Sequence, residues 1–378
     1  MTENMPFSVA TECVVGFPNT RTNGSYVLIG RQGAECGNIN YAHGKFWASE
    51  HAVVATPDRD LEYRWLGETL RAMNLNQYSE AAAQPGLSVE VIGRLKVPFP
   101  PVPEQQQIAA FLGWKTGQID ALIARKKELL DKLKEKRLAV TTQAVTRGLN
   151  PAAPLRDSGI PWLGNVPKHW EVIPLGFLVT LSGGLTPSMA NSEYWGGDVP
   201  WVTPKDMKQA RISDSIDHVT EKALDETGLA LIPSNAILVV VRGMILAHSF
   251  PTALTEQPVT INQDMKALRA GEKLEVDYLF WCLTGFGKVF SALAQESAHG
   301  TRRMETETIK KFAFPVPPRG EQRAIVCRLD EEMKQLDDLS LATENTIARL
   351  TEYRTALITA ATTGKIDVRA VKIPDEDA

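Results

Sequence analysis

Two long stretches of the chain carry apolar residues at the three- and four-residue spacing of an amphipathic α-helix, over residues 104–146 and 321–363. Prolines precede each stretch and a glycine follows it, as expected at helix ends. A helix of about 43 residues is roughly 64 Å long at 1.5 Å per residue, and its apolar seam needs a partner. The residues predicted to form the seam or a partner surface are Leu112, Ile119, Leu122, Leu129, Leu133, Val140, Leu329, Leu336, Leu339, Leu350, Tyr353 and Leu357.

The two stretches are copies of one another. Residues 97–105 (VPFPPVPEQ) recur as residues 314–322 (FPVPPRGEQ), and the register then holds at an offset of 217 without a gap. The charges are complementary, because residues 104–148 carry nine basic and five acidic side chains and residues 321–365 carry six and eight. The repeat favours an intramolecular two-helix coiled coil. The alternative is that each helix packs only on its neighbouring domain.

The repeat extends upstream with a weaker match. Residues 26–33 resemble residues 236–243, each an apolar strand followed by arginine and glycine. Residues 62–66 match residues 277–281, the start of an aromatic-rich helix, and Gly86 takes the place of residues 300–303. The leading half of the second copy, residues 161–234, has no match before residue 20.

The predicted fold class is therefore α/β, with two globular domains of mixed sheet and helix joined by two long helices. The predicted segments are a first globular domain that is incomplete at its N-terminal side, a helix, a complete second domain, a second helix and an acidic tail. They cover residues 1–103, 104–148, 149–320, 321–368 and 369–378.

Composition narrows the function classes. A length of 378 residues suggests two or three domains, and a net charge of −4 excludes a uniformly basic nucleic-acid coat but not a local basic face. No apolar run is long enough for a membrane span, and the N-terminus does not resemble a signal peptide, so a cytoplasmic protein is expected. The four cysteines are scattered, and the loose spacing of Cys36, His43 and His51 argues against a metal site.

Four kinds of segment together resemble the specificity (S) subunit of type I restriction–modification systems. They are residues 157–164 (DSGIPWLG) through 167–170 (PKHW), residues 184–187 (GLTP), residues 194–201 (YWGGDVPW), and the two proline-rich starts of the long helices. The resemblance covers the chain from about residue 20 to residue 368. It implies two target-recognition domains, each binding one half of a bipartite DNA site, with the long helices paired antiparallel as a spacer.

The resemblance also implies partners. Two methyltransferase (M) subunits would dock on this chain and methylate adenine with S-adenosylmethionine, and ATP-dependent restriction (R) subunits could join them. The chain itself would be non-catalytic and would bind no cofactor. The sequence agrees, because it contains neither an N-P-P-[FY] or D-P-P-Y segment for a flipped base nor a phosphate-binding loop. A stand-alone DNA-binding regulator or decoy remains an alternative, whereas an all-in-one restriction–methylation enzyme lacks the motifs.

Candidate DNA contacts follow from side-chain chemistry, since arginine reads guanine, amides read adenine, and lysine, serine and threonine bind phosphate. The strongest is the run 300–303, where two arginines follow a glycine turn. The candidates are Arg302, Arg303, Thr301, Arg242, Lys205, Lys208, Arg211, Ser188, Asn191 and Arg31. Each could instead lie on a solvated surface, and Arg242 and Arg31 could form structural salt bridges.

Four tryptophans, Trp162, Trp170, Trp195 and Trp201, could stack on bases, although packing within the domain is favoured. The short first domain could reflect a misplaced start codon, a truncated gene or a minimal domain. In each case we expect lower stability and weaker DNA readout in the first domain than in the second.

Overall fold

The computed structural model describes residues 9–12, 22–49, 51–57, 59–79, 86–296 and 300–374. The chain divides into two compact units: unit 1 combines residues 1–130 with 341–378, and unit 2 contains residues 131–340. Each unit thus takes one part of each long helix. The last four residues of the predicted acidic tail and Cys13 lie outside the described residues.

Unit 1 contains an antiparallel four-stranded sheet in the order β1-β4-β2-β3. Helix α1 covers this sheet, and its buried Trp65 and Leu70 share one core with Val27 and Ile29 of β2. The elements are β1 (Val9–Glu12), β2 (Thr22–Gly30), β3 (Ile39–Phe46), β4 (Ala52–Pro57), α1 (Tyr63–Ala72), α2 (Val89–Gly93) and the first part of the long helix α3 (Val102–Arg147).

Unit 2 is larger and is built around a five-stranded sheet in the order β10-β14-β12-β16-β8. Smaller sheets β11-β9-β15, β13-β18-β17, β19-β7 and β5-β6 surround it. The strands are β5 (Leu155–Asp157), β6 (Asn165–Pro167), β7 (Glu171–Pro174), β8 (Val179–Gly183), β9 (Trp195–Val202), β10 (Arg211–Ile212), β11 (Asp217–Val219), β12 (Ile237–Val240), β13 (Arg242–Gly243), β14 (Thr252–Thr255), β15 (Thr260–Ile261), β16 (Met265–Ala270), β17 (Gln295–Glu296), β18 (Arg302–Arg303) and β19 (Ala313–Val316). The helices are α4 (Glu221–Thr227), α5 (Val276–Gly285), α6 (Gly287–Leu293), α7 (Thr306–Lys311) and α8 (Arg319–Thr362).

The two sheets share a framework of four strands. In unit 1, β2 lies between β3 and β4, and β1 pairs with β4; in unit 2, β12 lies between β14 and β16, and β8 pairs with β16. All of these pairs are antiparallel. Strand β1 is therefore the counterpart of β8, which corrects, for this one strand, the prediction that the leading half of the second domain has no match before residue 20.

The difference between the sheets lies in one segment. Residues 184–236 stand between β8 and β12 and form β9, β10, β11 and α4, whereas only residues 13–21 stand between β1 and β2. Strand β10 pairs in parallel with β14 at the edge of the unit 2 sheet. In the described part of unit 1, the corresponding edge is β3.

The long helices match the predicted α/β fold class with two long helices. Each begins two residues before the predicted start, since a proline or glycine fits the first helical turn. Each is followed by a glycine with left-handed backbone, Gly148 with φ of 73° and Gly364 with φ of 71°. These glycines let the chain leave the helix, because a left-handed residue ends the α-helical hydrogen-bond pattern.

The helices pair antiparallel in both units through repeat-related residues. In unit 1, Arg354 donates two hydrogen bonds to Asp120, at 2.8 and 3.2 Å. In unit 2, Arg137 donates to Asp337. From Asp120 to Arg137 along α3, the partner residue on α8 changes from Arg354 to Asp337. The two steps have the same length and opposite directions, so the helices are antiparallel. At the 217-residue offset Asp337 is the copy of Asp120 and Arg354 the copy of Arg137, so one ion pair is made twice, once in each unit, with the roles exchanged.

Burial divides the residues predicted to form the seam or a partner surface into two groups. Leu112, Ile119 and Leu357 are buried in unit 1, and Leu133, Leu329 and Leu336 are buried in unit 2. Leu129, Val140 and Leu350 are half-buried. Leu122, Leu339 and Tyr353 are 41%, 46% and 57% exposed, so they do not lie in the seam. Their spacing fits the apolar periodicity, but they project from the outer side of their helices.

The long helices make both contacts that the sequence offered as alternatives: they pair with each other and they pack on a globular domain. The start of α3 packs into the unit 1 core through Ile108 and Leu112, and the end of α8 enters the same core through Ile358 and Ala361. Each helix therefore contacts a globular domain and its own copy.

A buried glutamine explains why the helix starts repeat. The Gln105 amide oxygen accepts a hydrogen bond from the backbone N–H of Glu62, the residue that precedes α1, at 2.9 Å. The Gln322 oxygen accepts from the N–H of Glu275, which precedes α5, at 2.8 Å. Both glutamines are fully buried. Glu62 is therefore equivalent to Glu275, two residues from the match to Asp277 that the sequence suggested.

Candidate nucleic-acid interface

Three of the candidate arginines lie in one small sheet of unit 2. Arg242 in β13 is paired with Arg303 in β18, and Arg303 is paired with Gln295 in β17. One position along, Gly243 is opposite Arg302, and Arg302 is opposite Glu296. The sequence placed both arginines of the run in one group, but the register separates them onto opposite faces, because successive strand residues point to opposite sides.

Ion pairs agree with this register. The Arg302 guanidinium lies 3.7 Å from the Glu296 carboxylate, directly across the strand pair, and the Arg302 side chain is only 30% exposed. Arg303 is 57% exposed and lies 3.2 Å from Glu305. Arg242 is half-exposed and lies 3.7 Å from Asp264, as the salt-bridge alternative expected. Arg302 thus faces a carboxylate of its own sheet, whereas the Arg242 and Arg303 side chains are about half-exposed and each lies near a carboxylate outside the sheet.

The repeat places Gln32, and not Arg31, at the position of Arg242. The N–H of Leu87 donates to the Arg31 carbonyl, just as the N–H of Met304 donates to the Val241 carbonyl, both at 2.8 Å. Gln32 then bridges to Gly86 as Arg242 pairs with Arg303. Arg31 is half-buried and corresponds to Val241, although both Arg31 and Arg242 follow an apolar strand in the sequence.

The other basic candidates line a cavity of about 960 Å³ in unit 2. Lys205, Lys208 and Arg211 line it. Lys288 and Lys334 also line it, although the sequence did not mark them as candidates. Aromatic side chains contribute to the walls. The charged and aromatic residues that line the cavity include Arg137, Lys205, Lys208, Arg211, His248, Phe250, Asp277, Phe280, Trp281, Lys288, Asp330, Lys334 and Asp337.

The carboxylates of this cavity are engaged. Asp337 pairs with Arg137, Asp277 lies 3.5 Å from Arg211, and Asp330 accepts a hydrogen bond from the Trp281 indole at 3.0 Å. The four lysines are exposed, and none forms an ion pair with another described residue. Positive charge therefore dominates the cavity rim.

The cavity and the arginine sheet share a loop. The short 3-10 helix Met244–Ala247 directly follows β13 and lies against β18. Ile245 and residues 248–252 of the same loop line the cavity. This loop connects the basic residues of the cavity at 205, 208, 211, 288 and 334 with those of the sheet at 242 and 303, and we call these seven residues the basic patch.

Two further candidates make contacts within unit 2, Asn191 through its side chain and Ser188 through its backbone. The Asn191 amide oxygen accepts the N–H of Glu193 at 3.1 Å and caps a 3-10 helix. The Ser188 carbonyl accepts the Trp195 indole N–H at 3.2 Å. Neither residue lines the cavity, and Thr301 directly precedes β18.

The four tryptophans pack against other residues of unit 2, which is the role that the sequence favoured for them. Trp170 is buried, and Trp162 stacks on Phe312 with ring centroids 4.5 Å apart. Trp195 and Trp201 meet edge to face at 5.0 Å. These contacts hold the outer parts of unit 2 together.

Among the described residues, no cluster of histidine, cysteine and carboxylate side chains could hold a metal ion. Burial raises the pKa of the Cys282 thiol, which keeps it protonated.

No helix in the described part of the chain is long and apolar enough to cross a membrane.

Comparison with known proteins adds the family. The model of the "Type I restriction modification DNA specificity domain" matches residues 8–135 and 167–351. The EcoR124I/EcoR124II specificity subunit of Escherichia coli is 36% identical over 164 residues, which is 43% of this chain and 40% of that protein. The MjaIX specificity subunit of Methanocaldococcus jannaschii is 31% identical over 168 residues, 43% of this chain and 38% of that protein. The chain thus spans about two fifths of the length of these curated relatives.

A solved structure shares the fold. It comes from work on complex assembly and conformational transition of the type I R-M system, and it superposes with a TM-score of 0.74 at 18% identity, covering 93% of this chain and 85% of that one. The internal repeat, the four-strand framework and the two paired helices are therefore features of a known architecture, and the chain belongs to the family of type I restriction–modification specificity subunits.

Proposed function

We propose that this chain is the DNA-recognition and scaffold subunit of a type I restriction–modification complex, binding a bipartite DNA site and docking two M subunits. The observation that carries the proposal is the repeated framework, in which two related units hold the same helix pair through one ion pair made twice. A repeated protein framework suits a DNA site with two half-sites, as in dimeric DNA-binding proteins.

The basic patch supports DNA binding by unit 2. The chain is acidic overall, so phosphate binding must come from local clusters of cations. Lys205, Lys208, Lys288 and Lys334 supply such a cluster beside the arginine sheet. Phosphate contacts would fix the position of the DNA, and the forked side chains of the sheet would read its bases.

Exposed leucines support docking of two identical subunits. Leu122 on α3 and Leu339 on α8 are repeat-related and similarly exposed. Large apolar side chains that remain exposed at equivalent positions fit contacts with two copies of one partner. The M subunits would bind S-adenosylmethionine and carry out adenine methylation, and R subunits could join the complex. In this arrangement the chain contributes no catalytic group of its own.

Reconstitution tests the proposal. The full chain is co-expressed with the M subunits of its host, and the purified complex is incubated with genomic DNA and S-adenosylmethionine. We expect co-purification and methylation at a bipartite sequence. Leu122→Asp and Leu339→Asp together should abolish co-purification, whereas Arg302→Ala, on a different surface, should not.

The regulator alternative predicts a different result. A stand-alone regulator or decoy would bind a specific DNA site without the M subunits and would fail to co-purify with them. That outcome would overturn the scaffold role.

A further inference from the structure

The small sheet β13-β18-β17 aligns three side chains that can read bases. Directly opposed residues in antiparallel strands project from the same face, so Arg242, Arg303 and Gln295 stand side by side. We call them the reading row. Arg302 and Glu296 project from the other face, and their ion pair shows that facing residues do meet there.

The reading row contains a pair of like charges, Arg242 and Arg303. Two arginines directly opposite each other repel, which destabilises the strand pair. Each lies near one carboxylate, Asp264 for Arg242 and Glu305 for Arg303, yet each guanidinium has five N–H donors. Both side chains stay about half-exposed, and Gln295 is exposed beside them. Such a row suits a partner rich in hydrogen-bond acceptors.

The spacing of the row fits the bases of a DNA major groove. Neighbouring strands lie about 4.8 Å apart, so the row spans about 10 Å over three strands. Successive bases along a DNA strand are separated by about 3.4 Å, so 10 Å corresponds to about three base-pair steps. The major groove is about 12 Å wide and admits a narrow sheet.

We infer that the reading row recognises guanine through Arg242 and Arg303 and adenine through Gln295, within about four consecutive base pairs of the half-site bound by unit 2. Arginine donates to O6 and N7 of guanine, and glutamine pairs with N6 and N7 of adenine. This inference rests on the proposed function and adds the base composition of one half-site. It also assigns Gln295, which no sequence pattern marked.

The described residues of unit 1 do not form this row. Gln32 stands at the place of Arg242 and faces Gly86, and its amide oxygen lies 2.8 Å from the His51 ring. Without an arginine at these two positions, no guanidinium is available there to donate two hydrogen bonds to guanine. The inference therefore applies to unit 2 alone.

The experiment selects DNA from a randomised duplex library with the full chain assembled with its M subunits. The wild-type complex should select two guanines and one adenine close together in one half-site. Arg242→Ala, Arg303→Ala and Gln295→Ala should each flatten one of these positions by about tenfold or more, since one bidentate contact gives discrimination of that order. Arg302→Ala is the matched control and should leave all three preferences intact.

Two further variants separate loss of reading from loss of folding. Gln295→Glu should change the preferred adenine to cytosine, because glutamate accepts from the cytosine amino group. Arg303→Gln should change one guanine to adenine. A new preference at one position cannot come from a misfolded domain.

The outcomes distinguish the inference from the proposed function. If the wild-type complex selects no sequence, the proposed function fails. If the wild type selects a half-site but the row variants keep every position sharp, or if Arg302→Ala flattens one, the reading row is wrong while the proposed function stands.

Discussion

Unit 1 and unit 2 use the same four-strand framework and the same glutamine contact, but they differ in what is attached to it. In unit 2, residues 184–236 stand between β8 and β12 and carry Ser188, Asn191, Lys205, Lys208 and Arg211. Unit 1 has nine residues at this place, 13–21. The comparison teaches that the framework holds the helices, whereas the inserted segment and the reading row carry the candidate DNA contacts.

Lengthening both long helices, without a change in either globular domain, is expected to have the largest effect. Seven residues of heptad pattern are inserted into α3 between Asp120 and Arg137 and into α8 between Asp337 and Arg354, which leaves both ion pairs in place. Each helix lengthens by about 10 Å, or about three base pairs of DNA. Methylation should move to sites with a spacer longer by about three base pairs and unchanged half-sites, as mapped by sequencing modified adenines.

The controls for this insertion are specific. Insertion into α3 alone places the two ion pairs out of register and should abolish methylation. Retention of the original spacer by the double insertion would show that the helices do not set the distance.

Comparing the two half-sites is expected to show the next largest effect. The half-site bound by unit 1 should be weakly defined and that bound by unit 2 sharply defined, at about 1–3 kcal/mol per base contact. The reason is that unit 1 has nine residues at the place of the inserted segment, 13–21, and has Gln32 and Gly86 where unit 2 has Arg242 and Arg303. Randomised-site selection measures the preference at every position, and equally sharp halves would contradict the asymmetry.

Removing the glutamine contact should have the smallest effect and should be local to each unit. Gln322 makes three hydrogen bonds and Gln105 makes two. Substitution by alanine leaves buried backbone groups unsatisfied, which costs about 3 kcal/mol for Gln322→Ala and about 2 kcal/mol for Gln105→Ala. Hydrogen exchange of the full chain should show reduced protection at the start of α5 in the first variant and of α1 in the second.

Gln106→Ala is the matched control for this pair, since Gln106 is the exposed neighbour of Gln105. Its effect should stay within about 0.5 kcal/mol. Loss of protection in both units from a single glutamine variant would show that the contact is not local.

The sequence predicted the long helices and their pairing because both follow from local periodicity and an ungapped repeat. It did not separate the buried seam from the exposed Leu122, Leu339 and Tyr353, because periodicity marks an apolar stripe but does not fix its edges. It missed β1 because four residues with no likeness to β8 are identified only by their pairing with β4.

The reading row was beyond sequence reasoning for a similar reason. Arg242 and Arg303 lie far apart in the chain and come together through two-residue strands, and Gln295 joins them through a third strand of the same length. Nothing local marks Gln295, and adjacency alone made Arg302 and Arg303 look equivalent. The register is what gives them different faces.

The exchanged ion pair also constrains how the two copies can diverge. Asp120 pairs with Arg354 and Arg137 with Asp337, so the residue that compensates a change in one copy lies in the other copy. A charge reversal at Asp120 cannot be repaired by Arg137, its neighbour in the same half of the gene. The halves are therefore free to drift in their DNA-contacting segments but remain tied, crosswise, along the helices.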